Sequence, residues 1–173
     1  ADFMNWPVDL GAPWIDSNGD GVYNPPDGDY PDIKGDMYHW YVMNEADSVS
    51  HAQYWEGDYM NLDVRVAMYG FNLQGPFSNT QFMEWDITNT GSDTLDSMFV
   101  SYWADSDIGD HTNDLVGMDT TAMFIYCYND VYDAAYGYTP PAVGTMILQT
   151  PAVPSTGDTA FVDGNMLIDH RNV

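Results

Sequence analysis

Asp16-Ser17-Asn18-Gly19-Asp20-Gly21-Val22-Tyr23-Asn24-Pro25-Pro26-Asp27 carries oxygen-bearing side chains at alternate positions of a segment that glycine lets turn sharply. Against a twelve-residue calcium loop, Asp16, Asn18 and Asp20 fill positions 1, 3 and 5, and Gly21 the tight-turn position 6. Val22 supplies the carbonyl of position 7 and Asp27 the carboxylate of position 12. A hard cation takes six to eight oxygens, and alternate side chains converge on one point only where the backbone can fold sharply. Pro25 and Pro26 stand where an EF-hand would begin its exiting helix, and Asp27 replaces the usual Glu. The pattern is therefore that of a helix-free, dockerin-like or thrombospondin-type loop, expected to hold Ca2+ statically. The bland reading of the same residues is a solvated Asp/Gly turn.

Asp29, Asp32 and Asp36 follow in the same loop, more carboxylates than one ion uses. They imply either a second adjacent ion or Asx-turns to backbone amides. A looser cluster, Asp105, Asp107, Asp110, Asn113 and Asp114 with Asp119 beyond, comes after the aromatic run ending in Trp103 and is a further candidate for metal at a sheet edge. One Ca2+ is expected and two or more are allowed. Magnesium fits less well, because it keeps its waters and avoids dense carboxylate cages.

The remaining chemistry is sparse. His39, His51, His111 and His170 are scattered, and no G-x-S-x-G, Walker, HExxH or GxGxxG pattern is present. Glu84 and Asp86 share one face of a run without a facing partner, which reads as a solvent face before it reads as a glycosidase pair. No catalytic residue is assigned. Trp6, Trp14, Trp40, Trp55 and Trp103 are candidates for stacking on sugars, against a background expectation of core packing.

What positions these loops is a globular β-domain. The 173 residues suit one domain, and 45% hydrophobic with 15% aromatic content is that of a packed chain. Lys34, Arg65 and Arg171 face 27 acidic residues, for a net charge of −24, which argues against nucleic acid and anionic membranes as partners. Only Glu45, Glu56 and Glu84 of the acidic residues are glutamates; the other 24 are aspartates, which favour turns and cation sites over helices. Adaptation to salt explains acidity but not clustering with Gly and Asn. Cys127 is alone, so bound cations are the expected staple in place of disulfides. No apolar run reaches the ~18–20 residues of a spanning helix, so membrane insertion is not expected, and the sequence reads as processed or excerpted from something longer.

Along the chain, 1–36 holds five of the ten prolines and reads as an ordered calcium-binding loop region packed on the domain; 37–173 reads as the β-sandwich proper. The run 37–44 is expected to be a strand buried on both faces. Runs 62–72 and 81–89 alternate, with Leu62, Val64, Val66 and Met68 opposed to Asp63, Arg65, Ala67 and Tyr69. Residues 89–96 read as a hairpin turn into a strand at 97–104, with further strands at 121–129, 143–150 and 159–162. The fold class is all-β, an antiparallel β-sandwich with long calcium-binding loops and little helix.

With those residues placed, the chain resembles large secreted proteins of Bacteroidetes and related phyla that often carry a C-terminal type IX secretion sorting domain. The resemblance rests on WPVDLGAPWIDSNGDGVYNPPDGDYPDIKGD, GFN and QGP near Phe71, YWADSDIGDHTNDLVGMDTT from Tyr102, YCYN at Tyr126 and YGYTPPAVGTMILQTP from Tyr136. It implies an extracellular or cell-surface location and an interior module, and supplies no catalytic residues. The function expected is a non-catalytic structural or adhesive module, self-associating or binding other surface proteins. The competing expectation is a carbohydrate-binding or accessory domain of a secreted hydrolase, with glycans as ligand.

Overall fold

The computed structural model describes residues 3–162 and 164–172. Ala1 and Val173, the outer limits of the regions expected from sequence, lie outside them. The chain forms two compact units, the first running to Phe99 and the second beginning at Val100. Both are built from antiparallel strands with little helix, so the all-β expectation holds.

In the first unit, β1 (Trp14–Ile15) and β2 (Tyr30–Pro31) pair across the base of the Asp-rich loop. A three-stranded meander follows, β3 (Met37–Asn44), β4 (Leu62–Gly70) and β5 (Gln81–Asn89), in the order β3-β4-β5. Its register, Tyr41↔Val66↔Trp85 and Tyr69↔Phe82, puts Leu62, Val64, Val66 and Met68 on one face and Asp63, Arg65, Ala67 and Tyr69 on the other, as the period-2 pattern predicts. Val66, at the sheet's centre, is fully buried.

The face carrying Arg65 and Glu84 is not bare. Residues of the 1–36 region lie on it: Arg65 Nε donates to the Leu10 carbonyl at 3.2 Å, Trp6 meets Tyr38 with ring centroids 6.3 Å apart, and Lys34 Nζ sits 2.5 Å from Glu84. Glu84 also accepts from the Tyr69 hydroxyl at 2.8 Å. This explains one correction. The strand 37–44 is not buried on both faces; Met37, His39, Tyr41 and Met43 are exposed while Tyr38, Trp40 and Val42 are half-buried. Continuous aromatic composition had masked a one-sided strand.

Between β3 and β4 the chain makes an excursion containing α1 (Ser48–Tyr54). Its first turn is capped by Asp47, which accepts from the amides of Val49 and Ser50 and from the Ser50 hydroxyl. Seven residues are too few for a helix to stand alone, so the cap and the closure of the excursion by Glu45 N to Leu62 O at 2.9 Å carry it.

A second correction concerns 97–104, expected as a strand hairpinned to β5. It joins no strand. The turn after β5 is tied elsewhere, Thr90 N donating to Asn61 O at 2.9 Å, and Ser97 takes a left-handed φ of 58°. That conformation redirects the chain before a ladder can start.

The second unit holds β6 (Leu115–Asp119), β7 (Phe124–Tyr128) and β8 (Val143–Met146) in one sheet, and a long hairpin of β9 (Ala152–Val162) and β10 (Asn165–Asn172). On β7 the rings of Phe124, Tyr126 and Tyr128 follow one another along the strand, the first pair stacked with centroids 5.5 Å apart and the second tilted at 5.7 Å. Gly144 and Gly117 on the flanking strands leave the space those rings occupy. Ile108, Pro140 and Ala160 are buried apolar residues of this unit. No helix among the described residues is long and apolar enough to cross a membrane.

Candidate metal centre

The first loop is organised around Asp16. Its Oδ1 accepts from the amides of Gly19 at 2.7 Å and Asp20 at 3.3 Å, and its Oδ2 from Gly21 at 2.8 Å. Gly19 and Gly21 adopt φ of 77° and 75°, which turns those amides inward at no steric cost. Asn18 Oδ1 accepts from Asp20 N, and Asp20 Oδ1 from Val22 N, so Asp16, Asn18, Asp20 and Val22 form one nested set of turns. The Gly21 amide above all, joined by those of Gly19 and Asp20, holds the Asp16 carboxyl below its ordinary range.

The return limb is closed by a different residue. Asp29 is 3% exposed and accepts from Ser17 N at 2.9 Å and Asn24 N at 2.8 Å, linking the two ends of the loop. Asp27 takes the Asn24 side-chain amide. Asp32 and Asp36 stand apart from this ring. Asp32 bonds through its own amide to Pro13 O beside β1 and β2, and the Asp36 carboxylate accepts from Asn72 N at 2.8 Å at the head of β3. Trp14 and Tyr23 flank the loop as an edge-to-face pair with centroids 5.4 Å apart.

The second cluster is divided differently from the sequence grouping. Asp110 caps the short turn His111–Asn113, accepting from Thr112 Oγ1 at 2.6 Å and Thr112 N at 3.1 Å, and the Thr112 hydroxyl foremost keeps its carboxyl below the usual range. Asn113 meets the side-chain amide of buried Asn129. Asp119 is not with them: it ends β6, and its carboxylate accepts from Thr121 and Ala122 to close the β6–β7 turn. Asp114 enters β6 from the other side. Its Oδ2 accepts from Ile108 N at 2.9 Å, whereas its Oδ1 is buried with no hydrogen-bond partner. Asp105, Asp107 and Asp114 share the surroundings of Cys127, whose thiol is pushed up first by burial and then by the charges of Asp114, Asp107 and Asp105.

Asp133 was not singled out from sequence. It is 2% exposed and accepts from the amides of Asp110 at 2.7 Å, Ala135 at 2.7 Å and Tyr136 at 3.1 Å. The Asp110 amide is the main cause of its depressed pKa. Gly109 makes room for it, since a Cβ there would stand 2.2 Å from Asp133 Oδ2. The available signal was local, the pair Asn129 and Asp133 ahead of a Tyr-Gly-Tyr turn, but its main partner lies 23 residues upstream.

A carboxylate offers about four lone-pair directions over its two oxygens. Asp16 and Asp133 have spent about three of theirs on amides, which leaves little for a cation beyond one direction each. Asp114 is the opposite case: its Oδ1 is buried and meets no donor among the described residues, which is the kind of carboxylate oxygen a cation or a water can complete. Among the described residues no three His, Cys, Asp or Glu side chains gather closely enough to hold a metal by themselves. Ca2+ at either loop would therefore draw on neutral oxygens as well, from Asn side chains and backbone carbonyls such as that of Val22, in keeping with its ordinary mixed oxygen sphere. No protein-family model, no curated protein and no solved structure matches the chain.

Proposed function

We propose that this chain is a non-catalytic, calcium-stabilised structural or adhesive module of a secreted cell-surface or extracellular fibre protein, a β-sandwich in class. The observation that carries the reading is the buried, donorless Oδ1 of Asp114 in a loop shared with Asp105 and Asp107. A bound Ca2+ supplies the missing positive charge and links carboxylates that otherwise repel. The first loop supports a further ion through Asp16, Asn18, Asp20, the Val22 carbonyl and Asp27, with Asp29 as the pin that holds its two limbs together. A charge of −24 and a lone cysteine, which leaves no intrachain disulfide, give such ions a stabilising role.

Calorimetry in Ca2+ and in EDTA tests this. A ligand that binds only the folded form at ~100 times its Kd adds about 2.7 kcal/mol, or roughly 10–20 °C of melting temperature for a unit of this size. Asp114→Asn should remove part of that shift. The part of the Tb3+ luminescence that is lost in Asp16→Asn reports the first loop separately. Equal melting with and without chelator sinks the reading.

A second reading is favoured by the exposure of Tyr54 (78%), Trp55 (71%) and Trp103 (80%), while Trp6, Trp14 and Trp40 are half-buried. Exposed rings beside Glu56 and Asp58 suit sugar stacking with hydroxyl acceptors. Glycan-array binding that disappears in Trp55→Ala would establish it, and a blank array would remove it.

A further inference from the structure

The strand β3 has an edge with no neighbour in the sheet order β3-β4-β5. Its register with β4 and the bond from Glu45 N to Leu62 O fix which residues face inward: Met37, His39, Tyr41 and Met43 direct their amides and carbonyls to β4. Tyr38, Trp40, Val42 and Asn44 direct theirs outward, and no described backbone group meets them. Such an edge is a template for another strand unless charge, proline, a bulge or shortness blunts it.

None of those devices is present on β3. It is eight residues long, MYHWYVMN, with no Asp, Glu, Lys, Arg or Pro, in a chain of net charge −24. The other edges among the described strands are protected. β5 carries Glu84 and Asp86, β6 ends in Asp119, β8 has four residues, β9 carries Pro154 and Asp158, and β10 carries Asp169 and Arg171. Asp36 and Glu45 bracket β3 and are held away from it by the amides of Asn72 and Met60.

We infer that β3 pairs with β3 of a second copy of this chain, antiparallel about a two-fold axis at Tyr41, joining two three-stranded sheets into one of six strands. The occupant follows from charge. Among the edge strands of eight or more residues described here, β3 is the one that brings no carboxylate to the contact. The register follows from side chains. Centring on Tyr41 sets Trp40 opposite the partner's Val42 and Tyr41 opposite the partner's Tyr41, an aromatic with a β-branched residue and an aromatic pair, the favoured cross-strand matches. It also gives about eight main-chain hydrogen bonds from the four outward residues of each copy. Asp36 and Glu45 then face uncharged residues. A ladder ~27 Å long buries less than the ~1,200 Å² of a permanent interface, so the dimer is weak and reversible. Because the contact is uncharged while the two chains repel, added salt strengthens it, the reverse of an ion-paired interface.

This pairing deepens the structural-module reading by naming the surface through which copies meet, and its test separates the two. Sedimentation equilibrium of the full chain from about 10 µM to about 1 mM should show a monomer–dimer equilibrium that tightens between ~0.15 and ~0.5 M NaCl. Tyr41→Lys, which alters an exposed side chain, and Val42→Pro, which removes an outward amide, should both be monomeric at the top concentration, with circular dichroism confirming the fold. In a Cys127→Ser background, Tyr41→Cys should form disulfide-linked dimers on oxidation and His39→Cys should not, since only position 41 meets itself. A wild-type chain monomeric throughout, or variants that dimerise like it, overturns the inference whatever calcium does to the melting temperature. Equal melting in EDTA with an intact dimer removes only the calcium reading.

Discussion

Gly35 is where the Asp-rich region is sewn to the sheet, and replacing it with alanine is the sharpest test of that junction. Its φ is 70°, and a Cβ there would stand 2.4 Å from the backbone carbonyl oxygen of Gly70. That oxygen is also the acceptor for Asp36 N at 2.9 Å. Two costs add. A non-glycine residue in the left-handed region loses about 1–2 kcal/mol. A backbone oxygen cannot swing aside as a side chain can, so relieving the contact also weakens the Asp36 bond, about 0.5–1.5 kcal/mol, with packing strain of about 1 kcal/mol or more. The sum, about 2.5–4.5 kcal/mol, corresponds to a fall of roughly 10–36 °C for a unit of about a hundred residues. Gly21→Ala is the matched control, with φ of 75° and nothing within 4 Å of the added methyl, so it bears the conformational cost alone and should fall by roughly 4–16 °C, less than Gly35→Ala in the same buffer. Differential scanning calorimetry of the two variants in the same buffer measures the difference. Equal shifts would falsify the close approach of Gly35 to Gly70.

Acid titration follows the carboxylates with depressed pKa values. Asp16, Asp47, Asp110 and Asp133 are held below 3.8; for Glu84 burial pushes upward, but Lys34 and the Tyr69 hydroxyl outweigh it and hold the group below 4.5. The stability these groups contribute is complete above those unfolded-state values and is lost as pH falls through the lower folded ones. Melting temperature at ~0.15 M salt should hold down to about pH 5 and drop below about pH 4; a continued rise to pH 3 would mean that relief of charge repulsion outweighs the amide bonds. Asp133→Ala strands the amides of Asp110, Ala135 and Tyr136, so hydrogen exchange at those three should accelerate and the second unit should melt at least ~10 °C lower. Asp133→Asn keeps one acceptor oxygen and should fall between; unchanged exchange in both variants refutes the assignment.

How far the sequence carried is seen in particular elements. Alternation at 81–89 and along β4 predicts both strands and which residues share a face, because a side-chain period of 2 is a strong constraint. At 37–44 the strand was legible and its burial was not, since Met and Tyr on an open edge read like core. The run 97–104 has strand composition, yet propensity cannot supply a ladder partner, and Thr90 and Ser97 send the chain elsewhere. β6 and α1 were missed for the converse reason: LVGMD is short and interrupted by Gly117, and SVSHAQY has little apolar period, so their stability comes from Tyr126 over Gly117 and from the Asp47 cap.

The loops show the same limit at the level of chemistry. Spacing dictates that Asp16, Asn18 and Asp20 converge, but a carboxylate satisfies itself with whatever donor is nearest. In a chain with three Lys and Arg the nearest donors are backbone amides. Asp29 and Asp133 each draw amides from two separate stretches of chain and Asp16 draws three from the turn that follows it, which turns surplus negative charge into loop closure. A cation has most to add where that supply fails. Asp114 is such a place: Ile108 N reaches one of its oxygens, no donor among the described residues reaches the other, and Asp105 and Asp107 bring only further carboxylates to the neighbourhood. On the calcium reading proposed above, the stronger motif by spacing lies in the first loop, while the carboxylate oxygen left without a donor, Asp114 Oδ1, lies in the second. Calcium titrations followed at the two loops should therefore differ, with Asp114→Asn weakening the site that contributes more to stability.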